Sequence, residues 1–284
     1  MKLLVLLLVL GLRQTEPGRD LTRAVSGQAR RWRDTWLERG ARDNWQGALG
    51  LALVLLPALL LLGVVIALQE VPHPNLFVGL IGLVVMLVVL LDRDLPEALA
   101  RERDAWLQTD QESGELIAQA DPALVEEAAN VELARARRGL LAEQMRQLFA
   151  PLFWFLLLGP VAALAYYLLR LCAEGRLSAT PGLAARLLHF ADWPVARVLG
   201  LSFALAGDFV ATWQHWRARV LEADADATEF VDESAQAAQP VAVRMTAGEL
   251  PGTQLSSGLA AVAALAYRAL VIWIVLLALH TLWP

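Results

Sequence analysis

The sequence predicts an all-α fold: a polytopic integral membrane protein with four transmembrane helices, or five, and a helical cytoplasmic portion. Three observations predict it. The chain is 57% hydrophobic and only 19% charged, where soluble domains run at about 45–50% apolar and about 25% charged. It carries uncharged runs of about 20 residues, the length a helix needs to cross a bilayer. Its longest polar stretch repeats apolar residues at helical spacing. The mean hydropathy of +0.48 agrees. A net charge of −5 argues against a nucleic-acid partner, since phosphate contacts want a basic face. Lys2 is the only lysine, so nearly all positive charge is arginine.

Residues 1–46 combine an apolar start with an arginine-rich helix. "MKLLVLLLVLGL" has the charged start and apolar centre of a signal peptide, but "RQTEPGRD" follows in place of a small-x-small site. The expectation is an uncleaved segment too short to span alone. Arg23–Arg39 sets Val25, Trp32, Trp36 and Leu37 among arginines. That suits an amphipathic helix lying on an anionic leaflet, or equally a solvated helix packed on the rest of a cytoplasmic part.

Residues 47–91 hold two expected spans, Gly47–Leu68 and Asn75–Leu91, with Trp45 as an interfacial anchor. Arg13 to Arg42 contains eight arginines, which places the N-terminus in the cytoplasm by the positive-inside rule. The loop Gln69–Pro74 has none and is expected outside; residues 92–147 return to the cytoplasm. There Asp121 can cap a helix, Pro122 fits its first position, and Leu124, Ala128, Val131, Leu141, Met145 and Leu148 recur along it.

Residues 148–170 read as a third span, Leu148–Leu169, stopped by Arg170 and kinked at most at Pro151. Residues 171–256 are less regular. Val195–Thr212, bracketed by Trp193 and Trp213, is a fifth span, a re-entrant piece or a buried helix. With four spans Leu171–Ser256 lies outside; with five its second half returns inside. Residues 230–256 have the Ala/Gln/Pro/Gly flavour of a flexible linker. Residues 257–284 form the last span, Ser257–Trp283.

Catalytic motifs are absent: no Walker P-loop, G-x-G-x-x-G, C-x-x-C, H-E-x-x-H or G-x-S-x-G occurs. No metal site is expected. His189 and Asp192, three apart, are a weak ligand pair against an ordinary capping or surface pair. Glu126, Glu127, Asn130, Glu132, Arg135, Arg138 and Glu143 could line an acid–base or Mg²⁺-nucleotide site. The plainer reading is ion pairing along a solvated helix, as between Glu132 and Arg135. Arg268 sits inside the last span, where a central arginine costs about 2.5–3.5 kcal/mol on insertion. Asp208 is its expected partner and Asp192 the second choice, giving an intramembrane charge pair Asp208–Arg268. Gly159/Ala163 and Ala260/Ala264 would let helices approach closely.

"FAPLFWFLLLGPVAALAYYLLR" and "RLLHFADWPVARVLGLSFAL" resemble the AmpE family of inner-membrane signalling modulators linked to β-lactamase induction. The likeness spans most of the chain. That family is similar in turn to membrane-bound adenosylcobinamide-phosphate synthases, through Ala150-Pro151-Leu152-Phe153 and then Pro194, Ala196 and Arg197. The synthases place an acidic E-N-x-x-D run before A-P-L-F. This chain has "AEQMRQLF", with Arg146 about where an Asp would stand. A guanidinium cannot replace a carboxylate that holds Mg²⁺ and phosphate.

The resemblance implies a non-catalytic regulator in the bacterial inner membrane, acting in β-lactamase induction and cell-wall recycling. Its alternative is an ATP-dependent synthase of the cobinamide type. A small-solute transporter is a third reading, on Arg268 and Pro160 within spans, though no inverted repeat supports it. Candidate ligand-binding residues are Glu126, Asn130, Arg135, Arg138, Glu143, Asp192 and Arg197. Expected partners are the bilayer and either cell-wall-recycling proteins or a nucleotide or muropeptide ligand; a homo-oligomer stays open.

Overall fold

The structure is a computed structural model describing residues 31, 35, 47–67, 74–90, 95–174, 181–222, 224–245 and 250–282. Apart from Arg31 and Thr35, the N-terminal apolar segment, the Arg23–Arg39 helix and Trp45 lie outside the described residues, as does the loop 69–73. The described regular elements are helical throughout, so the fold is all-α. They are α1 (Gly47–Ala67), α2 (Pro74–Leu90), α3 (Leu95–Gln119), α4 (Pro122–Gln144), a π-turn (Met145–Phe149), α5 (Ala150–Leu158), α6 (Pro160–Ala173), α7 (Pro181–Ala206), α8 (Phe209–Arg219), α9 (Ala227–Ala238) and α10 (Pro251–Leu282). By length and composition one described helix, Pro251–Leu279 within α10, can cross a membrane. Leu55–Ala67, Phe77–Val89 and Pro160–Ala173 are apolar but shorter.

The chain forms two compact units, each discontinuous in sequence. One gathers Met1–Arg93, Arg146–Val195 and Leu277–Pro284; the other gathers Asp94–Met145 and Ala196–Leu276.

In the first unit α6 packs on α1 and α2, and α5 packs on α6. Buried Ala163, Tyr166, Tyr167, Leu168 and Leu171 line α6. The Phe155 ring lies 3.1 Å from where a Cβ on Gly82 would sit, so α2 and α5 touch at a residue with no side chain. Leu59, Leu60, Val64 and Ile66 of α1 stay exposed, an apolar surface suited to lipid or a partner.

The expected third span is not one helix. Gly159 has φ 92° and ψ −169°, a region open essentially to glycine alone. Pro160 then starts a new helix, its missing N–H costing nothing at that position. Pro151 sits harmlessly in the first turn of α5. A side chain at 159 is strained whatever the space around it, so Gly159→Ala should cost about 1–3 kcal/mol. Gly139, mid-helix in α4 with nothing within 4 Å of a Cβ, should gain about 0.5–1 kcal/mol as alanine. Thermal melts of the two variants in detergent should move in opposite directions.

In the second unit α4 begins as its sequence predicts, with Asp121 accepting from the Ala123 N–H at 2.9 Å and Pro122 in the first turn. Its buried face is Ala129, Leu133, Ala136 and Leu140, whereas Leu124 and Val131 face outward. α4 packs on α3 and α9, and α8 packs on α9. Val195–Thr212 is not a single helix either: α7 ends at Ala206, and Asp208 caps the start of α8 through the Ala211 N–H. The expected linker, 230–256, holds most of α9, which Asp226 caps through Thr228 and Glu229. Phe230, Val231, Ala235 and Ala238 make its buried stripe.

α4 contacts α9 and the segment following it directly, as in the Asn130–Val243 hydrogen bonds. Residues 122–144 and 227–245 thus pack together within the second unit.

Candidate functional site

In the first unit, polar side chains meet around Asp192, which α7 brings inward with 1% exposure. The π-turn supplies Arg146, whose Nε donates to Asp192 Oδ2 at 3.2 Å. Tyr166 of α6 donates its hydroxyl to Oδ1 at 2.5 Å. One turn on, Arg170, 2% exposed, donates to the Arg146 carbonyl at 3.2 Å and pairs with Glu174 at 3.5 Å. A π-turn places one extra residue in a helical turn and often marks a functional position. Here it presents Arg146 to a carboxylate 46 residues away. Charge-assisted bonds of this kind are about twice as strong as neutral ones.

The second unit holds further polar groups. Asp232 of α9 takes Arg137 Nε at 2.6 Å, Arg137 Nη2 at 3.1 Å and Arg138 Nε at 3.0 Å. At the α7–α8 end, Arg197 donates to the carbonyls of Glu222 and Val220 at 2.6 and 3.3 Å, and lies 4.4 Å over the Phe230 ring. Beside it Glu233 accepts from Arg219 and stands 3.5 Å from His215 Nε2. Burial first, then the Arg219 charge, pulls the His215 pKa below its usual range. At the other end of the unit, Asp110 accepts from the Gly252 N–H that opens α10, and its burial raises its pKa.

The sequence-selected residues do not converge. Glu126 and Asn130 bind the backbone of residues 243–245. Arg135 is exposed beside Glu132 at 3.6 Å, the ordinary helical pair. Arg138 and Asp192 are committed to Asp232 and to Arg146 with Tyr166 respectively. Glu143 lies on α4, and Arg146 binds Asp192. Among the described residues no three of His, Cys, Asp and Glu gather as a metal cage, and nothing joins His189 and Asp192 to a third ligand.

The pair Asp208–Arg268 is corrected. Asp208 spends its carboxylate on the N-terminus of α8. Arg268 donates to the Ala206 carbonyl at 2.9 Å and the Gln239 side-chain oxygen at 2.5 Å. A helix C-terminus offers carbonyls lacking intrahelical donors, and that satisfies an arginine without a carboxylate.

Tyr166, Arg170, Arg137 and Asp232 were missed as site residues. Arg170 was visible as the stop to an apolar run and Tyr166 as a polar tip within it. Arg137 and Asp232 lie 95 positions apart and left no local signal. No family model, curated protein or solved structure matches the chain.

Proposed function

We propose that the chain is a multi-pass protein of the bacterial inner membrane that modulates β-lactamase induction and cell-wall-recycling signals without catalysis. The observation that carries this reading is Arg146. It stands where the similar synthases keep a carboxylate, and its guanidinium is bound to the buried Asp192. A site that must receive Mg²⁺ and phosphate gains nothing from a cation already paired within the protein. The synthase alternative loses its metal-binding run on the same ground.

In this reading α1 and α2 cross the bilayer, and α10 enters it only beyond Arg268, whose bonds to Gln239 and the Ala206 carbonyl tie the preceding turns to the second unit. α5 and α6, about 13 and 21 Å long at 1.5 Å per residue, are too short to cross singly and form a re-entrant hairpin. That arrangement leaves residues 94–145 and 227–250 in the cytoplasm. Reporter fusions after Glu115 and at Ala238 should both read as cytoplasmic; opposite readings at the two positions would refute it. Function is tested by in-frame deletion, assayed for β-lactam-induced β-lactamase and for corrinoid production. A change in the first alone supports the regulator; a change in the second alone selects the synthase.

A further inference from the structure

The stretch after α9, Pro240–Met245, has no regular secondary structure, and its burial alternates. Val241, Val243 and Met245 turn inward; Pro240, Ala242 and Arg244 face out. This is the period of a β-strand, yet no strand lies beside it among the described residues. Side chains of two helices bond its backbone instead. The Asn130 amide takes both polar atoms of Val243, accepting from its N–H at 2.8 Å and donating to its carbonyl at 2.9 Å. The Gln254 amide does the same for Arg244, at 3.1 and 2.9 Å. Glu126 accepts from the Met245 N–H at 2.8 Å.

Below the strap is an apolar floor. Val243, 1% exposed, is buried with Ala129, Leu133 and Leu255, and Trp106, Val241 and Met245 pack around them. Gly258 completes the floor: a Cβ there would meet Val241 and Leu133 at 3.0 and 3.1 Å. Two amide brackets on consecutive residues, a carboxylate on the third N–H and apolar packing at alternate positions are the components of a site for an extended peptide. The brackets touch backbone alone, so they are indifferent to sequence. Specificity rests with the inward positions.

We propose that α4 and the first turns of α10 form a receptor groove for an extended peptide, occupied in cis by Val241–Met245. The ligand in trans is an extended segment of a partner protein with apolar residues at alternate positions and a β-branched one at the centre. The strap competes with it: while the strap is seated, apparent affinity falls by the fraction of grooves left open. The proposal is independent of the signalling role above, since the groove can be assayed with no reference to induction or to corrinoids.

Full-length protein in detergent is treated with trypsin, and the cut after Arg244 is followed by mass spectrometry. The probe is the peptide Pro-Val-Ala-Val-Gln-Met, which copies the strap without its tryptic site. Added at millimolar concentration, it should speed that cut at least fivefold by expelling the strap. The same peptide with Asp at its central Val should leave the rate unchanged. Val243→Asp should bind the labelled probe about tenfold tighter than the parent chain, and Asn130→Ala in that background should abolish the gain. An unchanged cleavage rate under saturating probe overturns the proposal and leaves the strap a fixed structural segment. Equal acceleration by both peptides overturns the apolar-pocket specificity.

Discussion

Asp232→Ala is expected to cost about 3–5 kcal/mol, because it strands buried positive charge. The Asp232 side chain is 4% exposed and that of Arg137 10%. Arginine does not shed its proton in a protein, so it cannot escape the penalty by neutralising. Arg138, 69% exposed, can turn to water, and Arg138→Ala should cost under about 1 kcal/mol. Equilibrium unfolding of the full chain in detergent would separate the two. If Asp232→Ala costs less than Arg138→Ala, Arg137 is reached by water and the pair does not anchor α4 to α9. Replacing Arg137 and Asp232 together by leucine should recover much of the loss.

Asp192→Ala should be the second most damaging change, at about 3 kcal/mol, the low end of the same range. The Arg146 side chain is 34% exposed and can partly rehydrate, which softens the loss. The Tyr166 hydroxyl cannot, being buried, and an unsatisfied buried hydroxyl costs about 1–3 kcal/mol. Asp192→Asn retains an acceptor for Tyr166 but not the charge facing Arg146, so it should fall between parent and alanine. Tyr166→Phe removes only the hydroxyl and should rank mildest. The order parent, Tyr166→Phe, Asp192→Asn, Asp192→Ala in melting temperature is the result to look for. A melt in which Asp192→Asn is as damaging as Asp192→Ala would place the whole value of the site in the charge.

The helical class was legible because composition and periodicity are local properties. Gly47–Ala67 and Pro74–Leu90 fall within a residue of their predicted bounds, and Asp121-Pro122 opens α4 as its residue types dictate. The breaks were harder. Hydropathy averages over a window, so Gly159-Pro160 vanished inside Leu148–Leu169, although the dipeptide itself carries the signal. Phe230–Ser256 looked like a linker because alanine, glutamine and proline dominate it; the Asp226 cap and the Phe230/Val231/Ala235/Ala238 stripe were the overlooked signs. Asp208 was misassigned for a related reason. A carboxylate in an apolar stretch was paired with an expensive arginine, when the helix start at the next residue offered it backbone donors. The polar groups around Asp192 and Asp232 depend on side chains far apart in sequence, which no window connects.

The break at Gly159 also bears on how the protein is made. An insertion machinery that weighs hydrophobicity over about 20 residues meets Leu148–Leu169 as one uniform segment. Nothing in that reading announces a turn. In the membrane reading proposed above, the hairpin is instead a product of later folding, when α6 finds α1 and α2, which precede it in the chain and leave the ribosome first. On that reading the segment has two successive lives, as a continuous apolar stretch during synthesis and as two short helices once its receivers are in place.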